Sequence, residues 1–466
     1  MTADGRLVAA VRARDVDAVR EALGAGADPN ARGADGLPLL WEAVLGFDHE
    51  VAEVLVDQGA DPDRPQHDGT TLLLRAVDLG SPALVTAVLG KDPALRLSVD
   101  ARERLLALAR SWDETGAEEE LRRRTGAVGP AHRVSLTEDH AKVEQVSLGG
   151  LTVRAGHGAV LTELEWAFRI LTPVDELVNR AVRHRDALHV GQSACLYVFH
   201  NRRSRETWSA LMAHHRHPDP AHRRFVATFL SCPFLRMGAT VEYEAEETEL
   251  IAAWAAVEPD GEVLAEVLRA LSDRDHPDEE ALGLRHADHP DPRVRSEVPR
   301  RLGAPLTAAG HACVLRLTRD PDAAVRRAAA GSLGDGRRTP QTRAALLALT
   351  RDESAAVQGA AADVLAHSAD RTPEVADALA ALLDVDDHLV RLAAAHGLAV
   401  RDDPRTALAV ERLGPLSRPE YRYEHRADAV RDWRLRNRPG ETRAPEEIRG
   451  SAGIRGSAGI RGSKET

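Results

Sequence analysis

Large aromatic side chains are scarce in this chain. Phe, Trp and Tyr make up 3% of the 466 residues, whereas hydrophobic residues as a whole make up 43%. A hydrophobic core with so few rings must be filled mainly by Ala, Leu and Val, which suit small helices that pack closely. The composition therefore favours a protein built of stacked helices.

Cysteine is also rare. Cys195, Cys232 and Cys313 are far apart, odd in number and without Cys-x-x-Cys spacing. This pattern does not fit a disulfide framework or a common zinc motif. We expect buried, reduced thiols in a reducing compartment.

The sequence lacks a long apolar run. No stretch approaches the length of a membrane span, and the opening MTADGRLVAAVRARD has no basic segment followed by an apolar one. These absences predict a cytoplasmic protein that does not contact a membrane.

Positive charge comes almost entirely from arginine. Lysine occurs only at Lys91, Lys142 and Lys464, a bias that indicates a high-GC bacterial genome. The formal net charge of −12 repels nucleic acid and anionic lipid unless a local patch overrides it.

A turn-like stretch occurs twice near the start of the chain. Residues 24–36 read GAGADPNARGADG, and residues 57–69 read DQGADPDRPQHDG in the same phase. In each copy Gly ends a helix and Asp-Pro begins a tight turn. The sequence between them predicts two short amphipathic helices broken at Gly46. Such a unit cannot bury its own apolar face, so the recurrence predicts a stacked array.

These residues resemble the ankyrin repeat. Residues 1–112 carry the resemblance, with SVDARERLLALARSW as a capping helix, although the Thr-Pro-Leu-His position is degraded to Pro38–Trp41 and Thr71–Leu74. The resemblance implies protein binding at the turn tips and the inner helices. The implied contact residues are Arg32 and Ala34 in one tip, Arg64, Gln66 and His67 in the next, and Glu42, Leu45, Arg75 and Asp78 on the inner helices. Trp41 is either an aromatic anchor or packed inside.

A second period appears further along the chain. HPDPRVRSEVPRRLG aligns with DPDAAVRRAAAGSLG, so that Val294 and Leu302 fall on Val325 and Leu333. The anchor leucines of the whole series are Leu230, Leu271, Leu302, Leu333, Leu365 and Leu398. Residues 205–415 resemble HEAT-like repeats of the phycobilisome-lyase type. Most such proteins are adaptors, so the resemblance implies no chemistry.

The remaining segments carry weaker patterns. Residues 113–204 connect the two arrays and include a predicted β-hairpin around Gly149–Gly150, followed by a helix with Thr172 as cap and Pro173 in its first turn. Residues 416–447 are a predicted helical or linker segment. Residues 448–466 repeat IRGSAG and are predicted to be a disordered tail. The predicted fold is mainly α, an α-solenoid of ankyrin repeats followed by HEAT-like repeats, with one small hairpin between them.

The stretch HHRHPDPAHRRF is the strongest candidate for a metal site. His214, His215, His217 and His222 lie beside Asp219, and imidazole and carboxylate groups bind zinc. Two prolines place these side chains across a repeat junction. We therefore expect solvated loop histidines and no metal ligands.

Residues 184–232 also contain the residues of a possible catalytic pair. Cys195 could act with His189 or His200, but GQSAC lacks the second Gly of a nucleophile elbow. A buried thiol is the expected alternative.

Paired arginines leave a nucleic-acid-binding solenoid open as a second alternative. The pairs are Arg202–Arg203, Arg223–Arg224, Arg326–Arg327 and Arg337–Arg338. Because Arg295, Arg326 and Arg391 occupy one recurring repeat position, we expect them to pair with neighbouring acidic residues. The sequence as a whole predicts a scaffold or adaptor that binds a protein partner, with no catalytic residue, cofactor or metal. An enzyme or lyase-like subunit using residues 184–232 remains the third possibility.

Overall fold

In a computed structural model of the chain, the structure describes residues 2–66, 68–202, 204–232, 243–272, 274, 276–303, 305–334, 339–416, 421 and 424–437. The predicted contact residue His67 and the predicted tail 448–466 lie outside the described residues. So do Arg203, Arg337 and Arg338 of the arginine pairs.

The fold is mainly α, as predicted. About two thirds of it, 65%, is helical, and the described residues contain 26 α-helices and one small antiparallel sheet. None of the helices in the described ranges has both the length and the apolarity to cross a membrane. The α-helices are α1 Ala3–Ala13, α2 Val16–Gly24, α3 Leu39–Leu45, α4 His49–Asp57, α5 Leu72–Leu79, α6 Pro82–Leu89, α7 Pro93–Arg96, α8 Val99–Thr115, α9 Ala117–Thr125, α10 His157–Ala167, α11 Val174–Ala181, α12 Val190–Asn201, α13 Arg205–Ala213, α14 Pro220–Ser231, α15 Glu244–Ala255, α16 Gly261–Ala270, α17 Glu279–His286, α18 Pro292–Arg301, α19 Ala308–Leu317, α20 Ala323–Ser332, α21 Pro340–Leu349, α22 Ala355–His367, α23 Pro373–Ala381, α24 His388–Val400, α25 Thr406–Leu413 and α26 His425–Arg436.

Two 3₁₀ helices span His214–Arg216 and Leu382–Asp384. The strands are β1 His132–Glu138, β2 Ala141–Leu148 and β3 Leu151–Arg154.

Contacts divide the chain into two compact units. The first is Met1–Cys313 and the second is Val314–Thr466. The boundary falls inside the segment 205–415, which the sequence predicts to be one array. The predicted division into five segments stays a prediction.

The first three helix pairs, α1 to α6, repeat at an interval of 33 residues. Asp15, Asp48 and Ser81 each precede the second helix of a pair, and each side chain accepts a hydrogen bond from the backbone N–H three residues ahead. Buried positions recur at the same interval: Ala10, Ala43 and Ala76; Val11, Val44 and Val77; Val19, Ala52 and Val85; Ala22, Leu55 and Val88. Each helix pair therefore presents the same apolar columns to the next.

The predicted hairpin is confirmed as the pair β2–β3. Leu148 pairs with Leu151 across Gly149 and Gly150, whose φ angles of 59° and 83° are those of a tight two-residue turn. The sequence pattern missed β1, which pairs antiparallel with β2. The turn between β1 and β2 consists of Asp139 and His140, both at positive φ. It contains no glycine, so the usual sequence signal of a hairpin is missing.

The helix predicted after Thr172 is confirmed as α11, but the predicted cap is wrong. Pro173 is the N-cap residue and makes no side-chain cap hydrogen bond. The buried Thr172 hydroxyl instead donates to Glu165 Oε2 at 2.7 Å. Glu165 is a buried carboxylate that also accepts two hydrogen bonds from Arg180 at 2.6 and 3.1 Å. A buried charge needs strong hydrogen-bond donors around it. The Thr172 hydroxyl therefore donates to Glu165 and does not cap α11.

The later helices alternate in pairs, and the second helix of each pair carries the anchor positions. The anchor leucines are all buried, at 3% exposure or less. An aspartate caps most of these helices, as predicted; for example, Asp291 caps α18 and Pro292 occupies its first turn. His222 stands where later repeats have valine, and it is also buried. Acidic caps and apolar anchors together explain why the period is visible in the sequence.

Candidate functional site

The two turn tips, residues 25–38 and the described part of 58–71, carry glycines of similar backbone conformation. Gly26 and Gly59 have φ angles of 88° and 98°, and Gly36 and Gly69 both have φ of 79°. Side chains other than glycine rarely adopt these angles. The sequence repeat therefore corresponds to a repeated turn geometry.

Side-chain hydrogen bonds hold each tip. Asp28 accepts from the backbone N–H of Asn30 at 2.9 Å, and Asp61 accepts from that of Asp63 at 3.0 Å. The side-chain amide of Asn30 also links the two tips, since it donates to the Gly59 carbonyl at 3.2 Å and accepts from the Asp61 N–H at 3.0 Å. The tips are therefore tied both internally and to each other.

Several of the predicted contact residues are accessible on this surface. Arg32, Ala34 and Arg64 are exposed, and Gln66 is half-buried. Leu45, on the inner helix α3, keeps 42% of its surface exposed. Of the contact residues that the structure describes, Arg32, Ala34, Leu45 and Arg64 are therefore the most accessible to a partner.

Two predicted residues of α3 have structural roles. Trp41 is buried within the core of the first helix pairs, which decides between the two possibilities left open for it. The Glu42 carboxylate accepts two hydrogen bonds from the Arg12 guanidinium, both at 3.2 Å. Glu42 therefore joins α1 to α3.

Asp78 connects α5 to the helices that follow the array. Its carboxylate accepts from Arg75 at 3.0 Å, from Arg124 at 2.7 Å and from the indole N–H of Trp112 at 3.0 Å. Arg124 also lies over the Trp112 ring. Arg75 and Asp78 are thus partners within the fold. The sequence did not reveal the other two donors to Asp78, Trp112 and Arg124, because they are 34 and 46 residues away.

One arginine position recurs in the HEAT-like repeats, and three of the arginines there make the same contact. In Arg223, Arg295 and Arg326, Nη1 donates to the backbone carbonyls five and six residues earlier, at 2.8–3.0 Å. Arg223 also pairs with Glu258 and Arg326 with Asp352, each at 2.8 Å. The predicted pairing with an acidic neighbour is confirmed for Arg326. The guanidinium closes the turn between the two helices of a repeat and is not presented to solvent.

Other arginines of the four pairs are also engaged within the protein. Arg202 is buried and donates to the carbonyl of Thr172. Arg224 pairs with Glu262. Arg327 is exposed. The described arginine pairs therefore contribute few accessible charges for a phosphate backbone.

Cys195 is not placed as a nucleophile. It is fully buried, and burial raises the pKa of its thiol to about 12, so the thiol stays protonated. His189 stacks on His184 with ring centroids 3.6 Å apart, and Nδ1 of His200 lies 2.8 Å from the carbonyl oxygen of Leu196. The two imidazoles proposed as catalytic partners thus have contacts of their own.

Three of the four candidate metal-binding histidines lie together, which corrects the expectation of solvated loop side chains. The rings of His217 and His222 stack with centroids 3.8 Å apart, and the His214 ring lies 5.9 and 5.6 Å from them. His215 is separate, with its ring edge against Trp254. The 3₁₀ helix His214–Arg216 places the His214 ring beside the other two, a turn that the prolines of this stretch did not reveal. We call His214, His217 and His222 the imidazole stack.

The imidazole stack is not arranged as a metal site. In the part of the chain that the structure describes, no group of three or more His, Cys, Asp or Glu side chains could hold a metal ion. Stacked rings direct their nitrogens past one another, whereas metal ligands must converge on one point.

The comparisons with known proteins concern the second array. Residues 312–399 match the family of HEAT repeats. This match covers the helices α20 to α24 and their buried anchors. No curated protein matches the chain.

Solved structures with some likeness were also found. The Escherichia coli protein YibA is 14% identical, with a TM-score of 0.42, over 57% of this chain and 93% of that one. Human deoxyhypusine hydroxylase, in complex with glycerol, is 16% identical, with a TM-score of 0.25, over 60% and 99%. A structure of Kap95p with RanGDP is 11% identical, with a TM-score of 0.37, over 92% and 55%. At these values the likenesses carry no argument about function.

Proposed function

We propose that the chain is a non-enzymatic scaffold that binds a protein partner. In this proposal residues 1–112 form an ankyrin-type array, residues 205–415 form HEAT-like repeats, and the partner contacts the turn tips of the first array. The observation that carries the proposal is the pair of matching tips, whose backbone is held by repeated hydrogen bonds while Arg32, Ala34 and Arg64 remain exposed.

Rigid, exposed tips support a binding role for a physical reason. A tip that is already ordered loses little conformational entropy when a partner binds, so its side chains can contribute more of their contact energy to affinity. Arg32 is itself held, because Nη1 donates to the Gly36 carbonyl at 2.6 Å, while the residue remains exposed. Leu45 adds an exposed apolar contact on the adjacent helix.

The alternatives receive less support. The recurring arginines of the HEAT-like repeats are engaged with backbone carbonyls and carboxylates, which argues against a phosphate-binding face. The protonated Cys195 thiol argues against catalysis in residues 184–232.

The experiment compares partner binding by the full chain and by two variants. The partner is recovered from the native host with the full chain as bait and identified by mass spectrometry, and its affinity is then measured by calorimetry. Arg32→Ala with Arg64→Ala should weaken binding by roughly tenfold or more, because a central contact contributes about 1–2 kcal/mol.

Arg20→Ala is the matched control, since Arg20 is an exposed arginine on the second helix α2 and pairs only with the exposed Asp17 among the contacts described for it. This variant should bind as the unmodified chain does. Unchanged affinity in the tip variant, with loss of binding on substitutions within residues 290–400, would place the site on the HEAT-like repeats.

A further inference from the structure

The imidazole stack lies where α11 meets α14. Nε2 of His222 lies 3.1 Å from Oδ1 of Asn179, and Nε2 of His214 lies 2.9 Å from Oδ1 of Asp175. Asn179 and Asp175 are both on α11. His217 is in the turn between the 3₁₀ helix and α14, where its Nδ1 accepts from the backbone N–H of Asp219 at 3.1 Å. The three rings therefore connect the connecting region to the first helix pair of the HEAT-like repeats.

Within the part of the chain that the structure describes, two nitrogens of the stack have no hydrogen-bond partner. Nδ1 of His214 and Nδ1 of His222 are both buried and unpaired. Oδ2 of Asp219 lies 3.7 Å from His222 Nδ1, which is too long for a hydrogen bond. The arrangement suits a neutral His222 ring, because a second proton would add an N–H without a hydrogen-bond acceptor.

Some charged groups around the imidazole stack favour an imidazolium, and others oppose one. Asp175 from α11 and Asp219 before α14 favour an imidazolium. Arg223 from α14 opposes one, since its guanidinium donates to the carbonyl of His217, although Glu258, which follows α15, partly balances that charge. On the side of α16, Glu262 is paired with Arg224. A second proton on His222 places a positive charge on a ring whose centroid lies 3.8 Å from that of His217 and 5.6 Å from that of His214.

Burial and the neighbouring His217 lower the pKa of His222 below its ordinary value, so the folded arrangement favours the neutral ring. A histidine with a lowered pKa stabilises the packing of α11 on α14 above pH 6.5, its ordinary pKa. This stabilisation is lost as the pH falls below 6.5.

We propose that the imidazole stack is a proton-sensitive joint: protonation of His222 separates α11 from the 3₁₀ helix and α14. The separation exposes the unpaired nitrogen of His222 to water, which can hydrate the charged ring. The joint is closed at neutral pH and opens in mild acid, and it alters how the connecting region meets the first HEAT-like helix pair.

The test is hydrogen exchange of the full chain at pH 7.5 and pH 5, with each rate normalised to the intrinsic chemical rate at that pH. Peptides covering Val174–Ala181 and His214–Ser231 should exchange about tenfold faster at pH 5, because ordinary imidazoles are mostly protonated there. In His222→Val, which introduces the residue of the later repeats, the pH effect should disappear from both peptides.

A second variant guards against a folding defect. His217→Asn keeps an acceptor for the Asp219 N–H but removes the ring stacked on His222, and it should reduce the pH effect as well. His132→Asn is the control, because His132 is exposed on β1, and it should leave the effect intact. Equal normalised exchange at both pH values in the unmodified chain overturns the proposal, as does an unchanged pH effect in both folded variants.

Discussion

His157 is predicted to make the fold sensitive to acid. It begins α10 and is 3% exposed, with its ring stacked on Trp112 at 4.4 Å between centroids and 5° between planes. Nε2 lies 3.3 Å from the backbone carbonyl oxygen of Asp78. The ring therefore occupies the same junction as the Asp78 carboxylate and its three donors.

Burial lowers the pKa of His157 from 6.5 to about 4, although the hydrogen bond to Asp78 partly opposes this. The unfolded chain binds a proton below pH 6.5, whereas the folded chain does so only below about pH 4. Stability is therefore present above pH 6.5 and is lost as the pH falls through this window. The free energy of unfolding should decrease by about 2 kcal/mol at pH 5 and about 3 kcal/mol at pH 4 on account of this residue alone.

The assay is urea unfolding followed by circular dichroism at several pH values between 7.5 and 4. His157→Gln keeps an amide N–H for the Asp78 carbonyl but does not titrate. This variant should be less stable at pH 7.5 and should lose about 3 kcal/mol less than the unmodified chain on acidification to pH 4. His132→Gln, at an exposed position, should follow the unmodified chain.

The comparison rests on the difference between two pH profiles, so other buried histidines affect both equally. Parallel loss of stability in the unmodified chain and in His157→Gln would refute the reasoning. It would mean that the buried ring accepts a proton without cost, or that the junction opens before His157 titrates.

Two substitutions test other parts of the fold. Gly80→Ala should destabilise the protein by about 3 kcal/mol or more, because φ is +68° and the new Cβ would meet the carbonyl oxygen of Arg154 at 2.2 Å. Gly36→Ala, at a similar φ of +79° but in open space, should cost only about 1–2 kcal/mol; equal losses in thermal unfolding would contradict the steric argument. Arg326→Ala should cost roughly 3 kcal/mol in urea unfolding, because it leaves a nearly buried carboxylate unpaired, whereas the exposed Arg327→Ala should cost less than about 0.5 kcal/mol. Similar losses at both arginines would show that the recurring contact does not stabilise the repeat.

Much of the repeat architecture was predictable because its causes are local. A helix N-cap such as Asp48 acts on a backbone N–H three residues away, and a buried position such as Val44 recurs wherever the next repeat must stack. The hairpin at Gly149 was visible for the same reason. The strand β1 was missed because its turn uses Asp139 and His140 at positive φ, which sequence patterns associate with glycine.

The candidate site was less predictable, since a polar side chain is free to bind a partner only if no residue of another helix pairs with it. Arg32 and Arg64 fall at tip positions that the repeat itself makes accessible. Glu42 and Asp78 occupy equally polar positions, yet each is taken by donors from other helices. No pattern within one repeat distinguishes the two cases.

The sequence by itself determined the periods, the helix starts and the buried columns. The helix starts follow from interactions over three or four residues, and the periods and columns follow from the stacking of repeats with the same apolar positions. Tertiary structure alone decided which polar residues connect one helix to another. Asp78 meets Trp112 and Arg124 only after the array and its capping helices have packed, and the ring of His214 lies beside those of His217 and His222 because a 3₁₀ helix bends the chain between His214 and His217. Such contacts depend on how whole helices are placed relative to one another. That placement is set by the summed free energy of many apolar contacts between residues far apart in the sequence.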